Sequence, residues 1–174
     1  MSKVLNNQVF SKAAFLTMLC CILSLLSAPA YATTTIGTGN TGQYAWSENT
    51  GWFNFNPTNG TATFTYNGAN SYLSGYIWSE NIGWVQLAYN SSGPYTNTTS
   101  TNWGVNSNAS GVLSGYGWSE NAGWLMFNPT GGGVTISMTT GAFSGYAWGE
   151  NIGYIHFSGN ATDTTAYGVT NPNP

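Results

Sequence analysis

Four stretches of the chain share one alternation of apolar and polar positions: QYAWSENTGWFNF (43–55), GYIWSENIGWVQL (75–87), GYGWSENAGWLMF (115–127) and GYAWGENIGYIHF (145–157). In each, a Tyr and a Trp stand two apart, as Tyr76 and Trp78 do, and so share one face of an extended strand. A turn-rich string, Ser-Glu-Asn-x-Gly in three of the four, follows, and alternation resumes at Trp84-Val85-Gln86-Leu87. This pattern predicts a β-hairpin with a connection of about five residues. On the returning strand Phe53/Phe55, Val85/Leu87, Leu125/Phe127 and Ile155/Phe157 are always apolar, which predicts a buried face. Asn54, Gln86, Met126 and His156 vary freely between them, as exposed positions do.

A shorter strand is predicted ahead of three hairpins: Ala62–Tyr66, Trp103–Val105 and Gly133–Ile136. Each passes through a turn into Leu73, Leu113 or Phe143 and then Ser-Gly-Tyr. The tyrosines that open the hairpins, Tyr44, Tyr76, Tyr116 and Tyr146, are 32, 40 and 30 residues apart. A Ser/Thr/Asn/Gly-rich insert at 90–102 accounts for the longest spacing and reads as a loop. Nothing after residue 32 shows a helical period, and 23 glycines oppose helix. The fold class is therefore all-β: four tandem repeats of about three short antiparallel strands, stacked or ring-closed, solenoid-like or propeller-like.

The two ends do not match. The first hairpin has only a Gly/Thr-rich lead, residues 33–42, with a weak strand at best. After the last hairpin, Tyr167-Gly168-Val169-Thr170 reads as the opening strand of a fifth unit that is missing. This spare strand has three readings: it completes the first unit of its own chain, it completes the first unit of a neighbouring molecule as an intermolecular strand, or it frays. The second reading predicts self-association into open-ended fibres.

Residues 1–32 read as a secretory signal peptide: Lys3 and Lys12, an apolar run from Ala13 to Leu26, and Ala30-Tyr31-Ala32 as a cleavage site. The run is shorter than the ~20 residues that span a bilayer, so no membrane insertion is expected after cleavage. The remaining domain, 33–174, loses both cysteines (Cys20, Cys21) and has no Lys or Arg at all. Without cations it cannot neutralise phosphates, which excludes nucleic acid as a partner. The expected location is secreted, extracellular or cell surface.

Chemistry is sparse. Glu48, Glu80, Glu120 and Glu150 recur at one place in each hairpin, with Asp163 the only other acid. The main reading is that Glu and Asn tie each hairpin loop to its own backbone; a calcium site using the four glutamates is the weaker alternative. Four alike carboxylates are the reverse of the unlike pair that glycoside hydrolysis uses. One histidine and no mature cysteine supply neither a triad nor a zinc site. No catalytic residue and no cofactor is expected, and the chain reads as a non-enzyme. Trp52, Trp84 and Trp124 have two readings: core, because large rings bury the most area, or platforms for the flat faces of an extracellular glycan.

The strings GYIWSENIGW (75–84) and GYAWGENIGY (145–154) resemble a tandem GYAWSENxGW motif of exported bacterial surface proteins. Gln43, Gly149 and Tyr154 depart from that motif. The resemblance covers most of the domain and implies an extracellular, repeat-built β protein without carrying over any functional residue. The function expected from all of this is an extracellular structural protein, a surface or matrix component assembling by strand complementation. The alternative is a lectin-like or adhesin carbohydrate-binding module.

Overall fold

The computed structural model describes residues 31–37 and 42–172. The signal-peptide reading of 1–32 falls almost wholly outside them. Within them the chain is all-β, and its organising feature is a closed eight-stranded antiparallel barrel.

Four hairpins make the barrel: β2 (Tyr44–Ser47) with β3 (Gly51–Asn54), β5 (Ser71–Ser79) with β6 (Gly83–Gln86), β8 (Leu113–Ser119) with β9 (Gly123–Met126), and β11 (Phe143–Gly149) with β12 (Gly153–His156). Successive hairpins join edge to edge through β3–β5, β6–β8 and β9–β11, and β12 returns to β2. This corrects the solenoid and propeller expectation. The hairpins are staves of one cylindrical sheet, which closure leaves without a free edge, and are not separate sheets stacked in a row. Each connection is also tighter than expected: Ser47 pairs with Gly51 and Ser79 with Gly83, so three residues make the turn.

Extra strands form a second tier. Of the expected lead strands, β4 (Ala62–Tyr66) and β10 (Gly133–Ile136) form as expected, while β7 (Val105–Ser107) begins two residues later than the expected Trp103–Val105; each pairs with the first half of β5, β8 or β11. Those long strands serve both tiers by turning at Gly75, Gly115 and Gly145, whose φ values are +89°, +89° and +86°. A Cβ at Gly75 would lie 1.9 Å from the Thr61 carbonyl oxygen, so only glycine fits. In the first hairpin Gln43 stands at this place, and the chain there is split into β2 and a separate β1 (Ala32–Thr35) paired with β4. The weak lead expected at 33–42 thus holds an ordered strand, and Ile36 beside it is fully buried.

The place of the missing fourth lead strand is filled by the tail. After β13 (Ser158–Asn160) and β14 (Ala166–Gly168), which form a small hairpin, Val169 bridges to Gln43 and Thr170 to Ala142. Val169 N donates to the Phe157 carbonyl as Ala62, Val105 and Val134 donate to Phe55, Leu87 and Phe127. Val169 and Asn171 are buried.

The barrel is filled by the apolar face predicted from the returning strands. Phe53, Phe55, Val85, Leu87, Leu125, Phe127, Ile155 and Phe157 are all buried. Phe157 has Phe55, Phe127 and Phe143 around it, with centroids at 5.4, 5.9 and 6.1 Å. The insert at 90–102 is largely irregular, and Tyr95 anchors it by donating to the Leu73 and Asn90 carbonyls. Burial, with Tyr72 beside it, pushes the Tyr95 phenol well above its ordinary range.

Candidate functional site: an aromatic belt and a walled cleft

Strand alternation that sends Phe53 and Phe55 inward sends Trp52 and Asn54 outward. The same holds in every hairpin, and it overturns the expectation that the tryptophans form the core. Trp52, Trp84, Trp124 and Tyr154 are 41%, 39%, 46% and 45% exposed on the outside of the barrel. Each lies edge-on to a half-buried neighbour or a tyrosine of its own hairpin. Trp46–Trp52, Trp78–Trp84 and Trp118–Trp124 centroids are 4.7, 4.9 and 4.8 Å apart, and Tyr146–Tyr154 are 6.0 Å apart. Such edge-to-face contacts hold the rings while part of each stays exposed to solvent.

The variable positions mark the seams between hairpins. Asn54 pairs in register with Trp78, Gln86 with Trp118, Met126 with Trp148 and His156 with Trp46. All four are half-buried, so they are not the freely exposed positions expected. His156 lies 4.4 Å from the Tyr146 ring.

At the turn end, the Ser-Glu-Asn strings act differently from expectation. Asn81 Nδ2 donates to the Thr50 carbonyl (3.0 Å), Asn121 to Ile82 (3.0 Å), Asn151 to Ala122 (3.1 Å) and Asn49 to Ile152 (3.1 Å). Each asparagine thus ties its loop to the neighbouring hairpin, and the four bonds close a ring. The acceptor residues plug the barrel end: Ile82, Ala122 and Ile152 join the core, and the buried Thr50 Oγ1 has no hydrogen-bond partner. The glutamates stay outside. Glu48, Glu80, Glu120 and Glu150 are exposed, with Glu120 Oε1 accepting from Trp118 Nε1 at 3.2 Å. Among the described residues no three His, Cys, Asp or Glu side chains gather as a cation site would require.

The tail residues Tyr167, Gly168, Val169 and Thr170, which one reading assigned to a neighbouring molecule, pair within their own chain. Thr170 N donates to the Gly42 carbonyl and Gly37 N to that of Thr170, both at 2.8 Å. Assembly through this strand would require it to leave the barrel.

Tyr167 does more than pair. Its ring stands edge-on to Trp52 at 5.1 Å and packs over Gly159, where a Cβ would come within 2.7 Å of the hydroxyl. Burial, then Glu48 and Tyr146, raise its phenol above the usual range. The β13–β14 hairpin thereby stands as a wall over the first hairpin and encloses a cleft of about 530 Å³. Tyr44, Trp52 and Asn54 line it from the first hairpin, Trp78 and Glu80 from the second, and Asp163, Thr165 and Tyr167 from the wall. Asp163 Oδ1 accepts from Thr165 N at 2.9 Å, which holds this carboxyl below its ordinary range. Of these residues the sequence reading had weighed Trp52 as a platform, Glu80 as a cation ligand and Tyr167 as a strand. Tyr44, Asn54, Trp78, Asp163 and Thr165 were not foreseen as a group, because no spacing links residues 44, 78 and 163 before the barrel closes.

Comparison with protein-family models, with curated proteins and with solved structures finds no match.

Proposed function

We propose that this chain is an exported, non-catalytic carbohydrate-binding protein, a four-repeat barrel that presents aromatic rings to saccharides at the cell surface or outside the cell. The export and surface parts rest on the N-terminal segment and on the GYAWSENxGW resemblance. The binding part rests on one observation: rings as large as Trp52, Trp84 and Trp124 face outward and half exposed, although other side chains fill the core. Exposed aromatic groups of this size, held by neighbours and flanked by Asn and Gln amides, suit the C–H face of a sugar with hydrogen bonds at its rim.

Two features support a water-facing barrel over one embedded in lipid. The returning strands have four residues each, against about 9–11 for a transmembrane strand. The apolar side chains fill the inside, whereas a membrane barrel turns its apolar face to lipid. The non-catalytic reading rests on the four alike glutamates of the hairpin turns, which do not make the unlike pair that glycoside hydrolysis uses.

The test is a titration of tryptophan fluorescence with neutral, acidic and amino oligosaccharides, paired with retention on insoluble polysaccharides. A saturable spectral change with at least one class, weakened about tenfold in Trp52→Ala or Trp84→Ala, is the expected result. A folded protein that responds to no saccharide overturns the reading.

A further inference from the structure

We infer that the cleft over the first hairpin selects saccharides bearing an ammonium group, as in a glucosamine oligomer. This deepens the carbohydrate reading and rests on it; what it adds is a charge preference and a place.

The place follows from a comparison within the barrel. Longer connections precede two of the four lead positions: 90–102 before Trp103, and 158–166 before Tyr167. Both end in an aromatic ring edge-on to a hairpin tryptophan, Trp103 to Trp124 and Tyr167 to Trp52, each at 5.1 Å. The first connection contains no acid. That side therefore has only the hairpin-turn glutamates, Glu120 and Glu150, with no acid from the connection beside them. The second connection carries Asp163, and the adjoining hairpin turn brings Glu80 to the same cleft. Of the two, the tail side alone joins a pair of carboxylates to the rings of Tyr44, Trp52, Trp78 and Tyr167.

Charge gives the ligand class. No Lys or Arg occurs after Lys12, so the barrel holds no cation to neutralise Glu80 or Asp163. Amines along an oligomer would meet the carboxylates of Glu80 and Asp163 at the same cleft as the aromatic rings, whose negative faces also attract cations. The space, about 530 Å³, falls within the roughly 300–1,000 Å³ of small-molecule sites. The Thr165 N–H donates to Asp163 Oδ1 at 2.9 Å and holds the carboxylate in place at the cleft.

The experiment is a calorimetric titration at about pH 5, acidic enough to protonate the amines of the oligomer. Glucosamine oligomers, N-acetylglucosamine oligomers of equal length and neutral glucose oligomers are compared on the intact mature protein. The expected result is at least tenfold tighter binding of the amine-bearing oligomer, weakened tenfold or more by Glu80→Gln and by Asp163→Asn and unchanged by Thr139→Ala, an exposed position outside the cleft. Both carboxylate variants alter exposed groups, and the amide oxygen introduced by Asp163→Asn can still accept from Thr165 N, so melting curves should match the parent. Equal binding of all three oligomers, or binding that ignores Glu80→Gln and Asp163→Asn, overturns the charge preference and leaves the carbohydrate reading standing. No binding of any oligomer by the folded protein overturns both.

Discussion

The first and second hairpins start from nearly the same letters and differ at three places once folded. At the turn between tiers the second has Gly75, held at φ +89° against the Thr61 carbonyl, where the first has Gln43 and a break between β1 and β2. In the barrel plug the second contributes Ile82 and the first Thr50, with an orphaned hydroxyl. On the outer face Trp84 lies across Gly60, whereas Trp52 is met by the ring of Tyr167. The interiors are alike. The lesson is that the repeated pattern secures the barrel, while differences accumulate where the chain's two ends meet and build the cleft there.

The largest effect should come from removing the glycine at the tier turn. Gly75→Ala forces a side chain into left-handed backbone and against a backbone oxygen, for a cost of about 3 kcal/mol or more. The converse change, Gln43→Gly, acts on ordinary backbone and costs only about 0.5–1 kcal/mol. Chemical denaturation of the two variants measures the contrast; equal losses would remove the account of the split first strand.

The outer faces come next. Tyr167→Gly gives up the edge-on contact with Trp52 and adds a flexible residue, together about 2 kcal/mol. Gly60→Tyr pushes against the end of the exposed Trp84 ring, which can yield, and its Cβ comes within 3.2 Å of the Tyr76 Cβ, for a cost of about 1 kcal/mol and a red shift in emission. A larger loss for Gly60→Tyr than for Tyr167→Gly would mean that Trp84 is a structural ring after all.

The smallest effect has the opposite sign. Thr50→Val makes the first hairpin's plug apolar like the other three and removes a buried hydroxyl without a partner, so stability should rise by up to about 1 kcal/mol. A fall in melting temperature would show that the hydroxyl is satisfied.

Much of the barrel was legible in the sequence. Period-two alternation marked the hairpins, and Phe53/Phe55 with their counterparts marked the buried face. The same alternation already implied that Trp52, adjacent to Phe53, points the other way. Weighing ring size above strand parity led to the core reading. Ring closure was among the readings, but closure as one continuous barrel was not legible, because the pairing of Asn54 with Trp78 and of His156 with Trp46 depends on how strongly the sheet curls, a property of the whole. The asparagine ring was hidden for a related reason: each Asn could bond its own loop or the next one, and only the spacing of neighbouring hairpins decides. Asp163 gave no warning, since its role depends on a wall that exists only when the tail is in place.

The central claim is that the outward rings serve binding while the inward rings serve folding. Its most direct test measures stability and saccharide response together in Trp52→Ala and Phe53→Ala, neighbours in sequence on opposite faces of one strand. The account predicts that Phe53→Ala loses about 3–5 kcal/mol of stability, whereas Trp52→Ala stays folded with a far smaller loss and weakens the fluorescence response to saccharide about tenfold. Trp52→Ala unfolding as readily as Phe53→Ala, or binding saccharide as the parent does, would contradict it.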